Sequence, residues 1–221
     1  MDTQLKIGIV GHESRIINAY NLFRTTQADY ISVDNGNLGC DDNHRAVWSA
    51  TARMAADDEW IIVCEDDAKP VPHFNIQAQA ALDNTPKDVD VVSFYMGRMR
   101  PSAWQPRMKN AVAQANRGDI NWITSNATLH AVCLAIRGPR RVADMLDTTA
   151  VLVRPIDERI TMWCRRFGHT VAYSHPSLVE HADEIPCITA RFDGAARERG
   201  RVAWQVGERR RWTAEHIPLS G

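Results

Sequence analysis

The chain has 221 residues, 44% hydrophobic and 24% charged, enough for one compact core and outside the composition of disordered or fibrous chains. It has no apolar run near the roughly 20 residues that span a bilayer. Its polar start lacks the basic and apolar regions of a secretory leader, so a cytoplasmic setting is the expectation. Five scattered cysteines with no CxxC pair indicate neither a disulfide framework nor a zinc site. Net charge is -1, yet residues 1–90 hold 7 Lys+Arg against 15 Asp+Glu, and the remainder holds 19 against 12. An acidic half suits cation binding and a basic half suits a polyanionic partner; a chance partition of solvated charges gives the same numbers.

Residues 6–11, Lys-Ile-Gly-Ile-Val-Gly, read as a buried first strand entering a glycine turn. Ser14 suits the N-cap of a helix through about Phe23. Residues 30–34 read as a second strand, closed by Asn35-Gly36-Asn37. Asp42 or Asn43 caps an alanine-rich helix to about Ala56. Residues 60–64, Trp-Ile-Ile-Val-Cys, form a continuous apolar strand followed at once by Glu65-Asp66-Asp67. A helix over 73–82 and a strand over 89–95 continue the alternation. This pattern predicts an α/β domain with a mostly parallel sheet and helices on both faces. Residues 97–121 show little periodicity and read as a long loop, of the length that serves function or moves. Strand character over 122–136, a short helix over 139–146, a helix over 156–167 stopped by Gly168, and a last strand over 170–174 follow. The predicted organisation is a catalytic domain over 1–190 and a basic extension over 191–221, laid across the surface.

Three consecutive carboxylates repel one another, so Glu65-Asp66-Asp67 is not placed after an apolar strand for stability. If the strand continues, Glu65 and Asp67 lie on one side and Asp66 on the other. The carboxyl end of a strand in an open α/β sheet is where ligands bind. Mg²⁺ or Mn²⁺ takes oxygen ligands, commonly one or two carboxylates plus substrate phosphates. The competing account is an acidic solvated turn before Lys69-Pro70.

The stretch Gly39-Cys40-Asp41-Asp42-Asn43-His44, then Trp48, then residues 60–68 ending in Glu65-Asp66-Asp67-Ala68, resembles glycosyltransferases of the GT-A fold. It looks most like the lipopolysaccharide and collagen galactosyltransferase family. The resemblance covers residues 6–97 loosely and 36–74 best. It implies a Rossmann-like GT-A sheet, a nucleotide-sugar donor (a UDP-sugar first) and Mn²⁺ or Mg²⁺. It further implies that Asp67 ligates the metal, and that Glu65 or Asp66 contacts the donor ribose or a metal-bound water. Val10 and Gly11 would border the base, Asp34 would lie near base or ribose, and Asn43 and His44 would line the donor site. His44 reads equally as a hydrogen-bonded core histidine, and Asp34 as the stabiliser of the Asn-Gly turn.

Asp157 and Glu158 open the helix over 156–167. Inverting enzymes of the resembled fold carry a catalytic carboxylate there, which makes Asp157 the candidate general base; both acids also complement the helix dipole. Pro176-Ser177-Leu178-Val179-Glu180-His181 resembles a segment whose histidine supplies a late metal ligand or a diphosphate contact, so His181 joins Asp67 as a metal candidate. His130, Trp104 and Trp122 read as packed residues first. The tail places Arg197, Arg199, Arg201, Arg209, Arg210 and Arg211 near Trp204 and Trp212, a pattern suited to a phosphate backbone and base stacking, or to a solvated helix. The chain is small and also resembles phage-encoded glycosyltransferases, a resemblance that implies the host cytoplasm and 5-hydroxymethylated pyrimidines in DNA as acceptor. Protein and glycolipid acceptors, an inactive nucleotide-sugar-binding module, and a metal-dependent nuclease or phosphatase are the alternatives.

Overall fold

The structure is a computed structural model that describes residues 5–184, 187 and 200–219. In chain order the elements are β1 (Leu5–His12), a 3-10 turn (Glu13–Arg15), α1 (Ile16–Thr25), β2 (Tyr30–Asp34), α2 (Gly39–Ala52), β3 (Trp60–Glu65) and β4 (Ala68–Pro70). Next come α3 (Phe74–Asp83), β5 (Val89–Ser93), a 3-10 turn (Ser102–Trp104), α4 (Gln105–Gly118), β6 (Trp122–Ser125) and β7 (Cys133–Arg137). The chain continues through α5 (Pro139–Thr148), α6 (Ile156–Phe167), β8 (Thr170–Ser174), β9 (Val179–His181) and β10 (His216–Pro218).

Eight strands form one sheet in the order β10-β6-β8-β5-β7-β3-β1-β2. β1, β2, β3, β5 and β8 run one way, and β7, β6 and β10 run the other. The protein is therefore α/β with a large, mostly parallel mixed sheet flanked by helices, a Rossmann-like arrangement. β4 and β9 form a separate antiparallel pair.

Strand alternation divides the core into two layers. Ile7, Ile9, Trp60, Ile62 and Cys64 face α1 and α3. Val10, Ile61, Val63, Leu134 and Ile136 face α2, α4, α5 and α6. Burial of these fully apolar strand faces drives the assembly, at about 25 cal/mol per Å² of apolar surface.

Three expectations are corrected. Residues 97–121 are not a loop: α4 occupies 105–118, with Met108, Ala111, Val112 and Ala115 buried. That i, i+3, i+4, i+7 stripe is the helical signal, and the Lys, Arg, Asn and Gln of its wet face obscured it. The strand over 170–174 is not the last, since β9 and β10 follow. The tail does not lie across the surface where it is described. β10 pairs with β6, Ala203, Trp212 and Leu219 are buried, and the Trp212 ring packs 5.4 Å from Trp122. Gly168 does close α6, at φ +75, a left-handed conformation that glycine adopts without a Cβ penalty.

Candidate functional site

The carboxyl ends of β1 and β3 lie side by side, with Val10 paired to Glu65. β3 stops at Glu65, and Asp66-Asp67 form a turn before β4. The alternation expected of a continuing strand therefore breaks. Glu65 points toward α2, where His44 Nε2 lies 3.1 Å from its Oε1. Asp66 and Asp67 both turn toward Arg15 in the 3-10 turn after β1.

Arg15 Nη1 donates to Asp66 Oδ1 at 3.0 Å and to Asp67 Oδ2 at 2.8 Å. Its Nε lies 3.7 Å from Glu184 Oε2. The His12 amide donates to Asp66 Oδ2 at 2.8 Å. β9 pairs with β4 so that His181 stands opposite Ala68, which brings His181 Nε2 to 3.3 Å from Asp67 Oδ2. Asp67 and His181 are 6% and 3% exposed. Asp67 Oδ1 is buried without a hydrogen-bond partner; a carboxylate oxygen left so is costly and marks a place for a cation or donor.

The two carboxyls titrate apart. Burial pushes Asp66 up to about 6, against the His12 amide and Arg15. Burial would raise Asp67 too, but the His181 hydrogen bond and the charge of Arg15 outweigh it and hold Asp67 at about 2.

His181 Nδ1 accepts the Asp183 amide at 2.8 Å. A neutral imidazole whose Nδ1 accepts carries its proton on Nε2, so Nε2 donates toward Asp67. A metal-ligating histidine instead donates its second nitrogen. In this arrangement His181 Nε2 is the donor toward Asp67, a role suited to an anionic oxygen. Among the described residues no group of three or more His, Cys, Asp or Glu side chains is arranged to hold a metal. Asp67 and Asp66 alone form a two-carboxylate set. That set fits Mg²⁺ or Mn²⁺ whose other ligands come from substrate phosphates and water, with Asp67 Oδ1 the open oxygen.

A second group lies on the α2 and α6 side of Glu65. Asp157, in the first turn of α6, is partly buried, and its Oδ1 accepts the Glu158 amide at 3.0 Å. Burial and then the Glu65 charge raise it to about 6. Thr128 Oγ1 donates to the Asp157 carbonyl at 2.6 Å. Arg159, 5% exposed, ion-pairs with Asp41 on α2 and donates to the Arg154 carbonyl at 2.8 Å, fixing the start of α6 against α2. Burial pushes His44 down, yet the Cys40 and Glu65 side chains outweigh it and raise His44 to about 10. Glu65 thus stands between the Arg15 group and the Asp157 group.

The remaining expected donor residues make these contacts within the fold. Asp34 accepts the amides of Asn37, Leu38 and Gly39 at 3.1, 3.0 and 2.9 Å, which lowers it below the ordinary carboxylate range; it stabilises the turn. Asn43 Nδ2 donates to the Gly11 carbonyl at 2.9 Å, tying α2 to β1. A Cβ on Gly11 would lie 2.8 Å from the Ala19 Cβ, so this glycine lets α1 approach the sheet. Val10 is core on the α2 side.

In the tail, Arg209 is an internal clamp: it donates to the His175 carbonyl at 2.6 Å and pairs with Asp119 at 2.6 Å. Arg201 gives its amide to Asp183 Oδ1 at 3.1 Å. Arg210 and Arg211 are exposed and line an open cleft of about 380 Å³ whose lining also includes Asp119 and Glu208. Arg197 and Arg199 lie outside the described residues.

Sequence reasoning missed Arg15, Tyr95 and Asp183. Arg15 carried one signal, its place just after the first parallel strand. Tyr95 sits edge-on to His130 at 5.2 Å and donates to the Arg201 carbonyl at 2.7 Å. Burial holds His130 down at about 4, so it is neutral, with Nε2 unpartnered. Trp122 is core in the layer on the α1 and α3 side, and Trp104, in the 3-10 turn before α4, packs against the opposite layer. No protein-family model matches the chain, and no curated protein matches it significantly.

Proposed function

We propose that the protein is a metal-dependent glycosyltransferase of the GT-A kind, transferring a hexose with inversion from a nucleotide sugar, a UDP-sugar first, to an acceptor hydroxyl. The observation that carries this reading is the meeting of Asp67 and His181. They come from distant parts of the chain, they meet at the carboxyl edge of the sheet through Asp67 Oδ2, and the other oxygen of that carboxylate, Oδ1, is buried without a partner. A pyrophosphate-type leaving group needs a cation and hydrogen-bond donors, and Asp66, Asp67, His181 and Arg15 offer both.

Asp67, with Asp66, would hold Mn²⁺ or Mg²⁺, which when bound neutralises charge on the departing diphosphate. His181 Nε2 and the Arg15 guanidinium donate to diphosphate oxygens. Asp157 takes the proton of the acceptor hydroxyl as that oxygen attacks the anomeric carbon. A carboxyl at about 6 is ionised at neutral pH and more basic than an ordinary aspartate, as a general base requires. The acceptor we propose is a 5-hydroxymethylated pyrimidine in DNA. Exposed Arg210 and Arg211 beside an open cleft support a phosphate-bearing partner.

The test is thermal stabilisation by nucleoside diphosphates and nucleotide sugars with and without Mn²⁺, followed by transfer of labelled sugar. A bound ligand raises Tm by mass action, and stabilisation that needs both Mn²⁺ and nucleotide is expected. Asp67→Ala should abolish the Mn²⁺-dependent part. Normal transfer by Asp67→Ala would sink the reading. Incorporation into protein or glycolipid but not into hydroxymethylated DNA would redirect the acceptor alone.

A further inference from the structure

We infer that Arg15 is a built-in counter-cation, which neutralises Asp66 and Asp67 while the donor is absent and transfers to the leaving diphosphate when a divalent cation takes Asp67. This inference rests on the glycosyltransferase reading and names a residue that sets the order of binding. One guanidinium nitrogen bridges both carboxylates, at 3.0 and 2.8 Å. The Arg15 side chain is 10% exposed, so the pairing is shielded from water and salt. A second positive charge a few Å from the same carboxylate opposes entry of a divalent ion. The Asp67 oxygen that Arg15 leaves untouched is the unpartnered one, so a cation is able to engage Asp67 before the guanidinium departs.

Arg15 also fits its second station. It sits in the 3-10 turn at the carboxyl end of β1, the edge where phosphates bind in open α/β sheets. A guanidinium fork matches phosphate oxygens in pairs, which a point charge does not. His181 Nε2, now donating to Asp67, is released by the same event and faces the same anion. Metal and diphosphate are therefore expected to bind cooperatively, each removing the cost the other meets.

The experiment measures free Mn²⁺ by electron paramagnetic resonance, with and without UDP, for the full chain and for Arg15→Met and Arg15→Lys. Arg15→Met should bind Mn²⁺ at least tenfold more tightly than wild type without UDP. At saturating Mn²⁺ it should bind UDP at least tenfold more weakly. Arg15→Lys keeps a charge but not the fork, so it should show the same directions with smaller factors. It also serves as the test should the Met variant fail to fold. Equal Mn²⁺ affinity in wild type and both variants, with Mn²⁺ bound in each, overturns the role of Arg15 and leaves the proposed function standing. No Mn²⁺ bound by any of the three, even with UDP, removes the glycosyltransferase reading and this inference with it.

Discussion

Asp66 and Asp67 are chain neighbours driven in opposite directions, to about 6 and about 2, by what each touches. Such splitting of adjacent carboxyls separates a residue that stays ionised from one that exchanges a proton near neutrality. Asp157 is raised to about 6 on the other side of Glu65. Its folded value lies above the ordinary 3.8, so the native state binds the extra proton. Ionisation of Asp157 then costs stability, a cost absent below about pH 4 and complete above about pH 6. Asp157→Asn should raise Tm at pH 8 and leave it unchanged at pH 4. An equal shift at both values would show that burial of the charge is not the cause. As general base, Asp157 must be ionised, so transfer by the wild type should fall as pH drops below about 6. Asp157→Asn should lose roughly 100-fold or more of the turnover at pH 8.

Helices α4 and α6 show how differently two elements declare themselves. α6 opens with Pro155 and two acids, carries Arg165 and Arg166 in its last turn, and stops at Gly168. Each of these is a local signal, and the helix is found where the sequence marks it. Gly168→Ala places a side chain at φ +75 and should cost about 1 kcal/mol, read from urea denaturation. α4 carries no side-chain cap and no acid in its first turn, and half of its buried face, Ala111 and Ala115, is alanine. Two small alanines lower the hydrophobic contrast, so the helix is legible mainly through its spacing. Ala115 is fully buried beneath it. Ala115→Leu should cost about 1–3 kcal/mol through overpacking. A mobile loop over the same residues would accept that leucine without loss.

For the whole molecule, the described tail is part of the body. Trp212 is 5% exposed, packs on Trp122, and donates its indole N–H to Gln77 at 3.1 Å. Trp212→Ala should destabilise the protein by about 3–5 kcal/mol. A change below about 0.5 kcal/mol would return the tail to the surface. Among the described residues no helix is long and apolar enough to cross a membrane.

By itself the sequence determined the elements whose signals are carried by chain neighbours: the apolar strands β1 and β3, the turn of three acids after β3, and α6 with its glycine stop. It also located the edge at which a ligand site belongs, because a parallel sheet has its strand ends on one side. Only the tertiary structure decided that β7 runs between β3 and β5, that β9 carries His181 onto Asp67, and that Arg15 bridges both aspartates. It likewise joined Arg209 to Asp119 and the His175 carbonyl and set the Asp183 amide on His181 Nδ1. The physical reason is one of range. Periodicity and capping act over a few residues, whereas these pairings close long loops, and their energy depends on burial that exists only after the layers have packed.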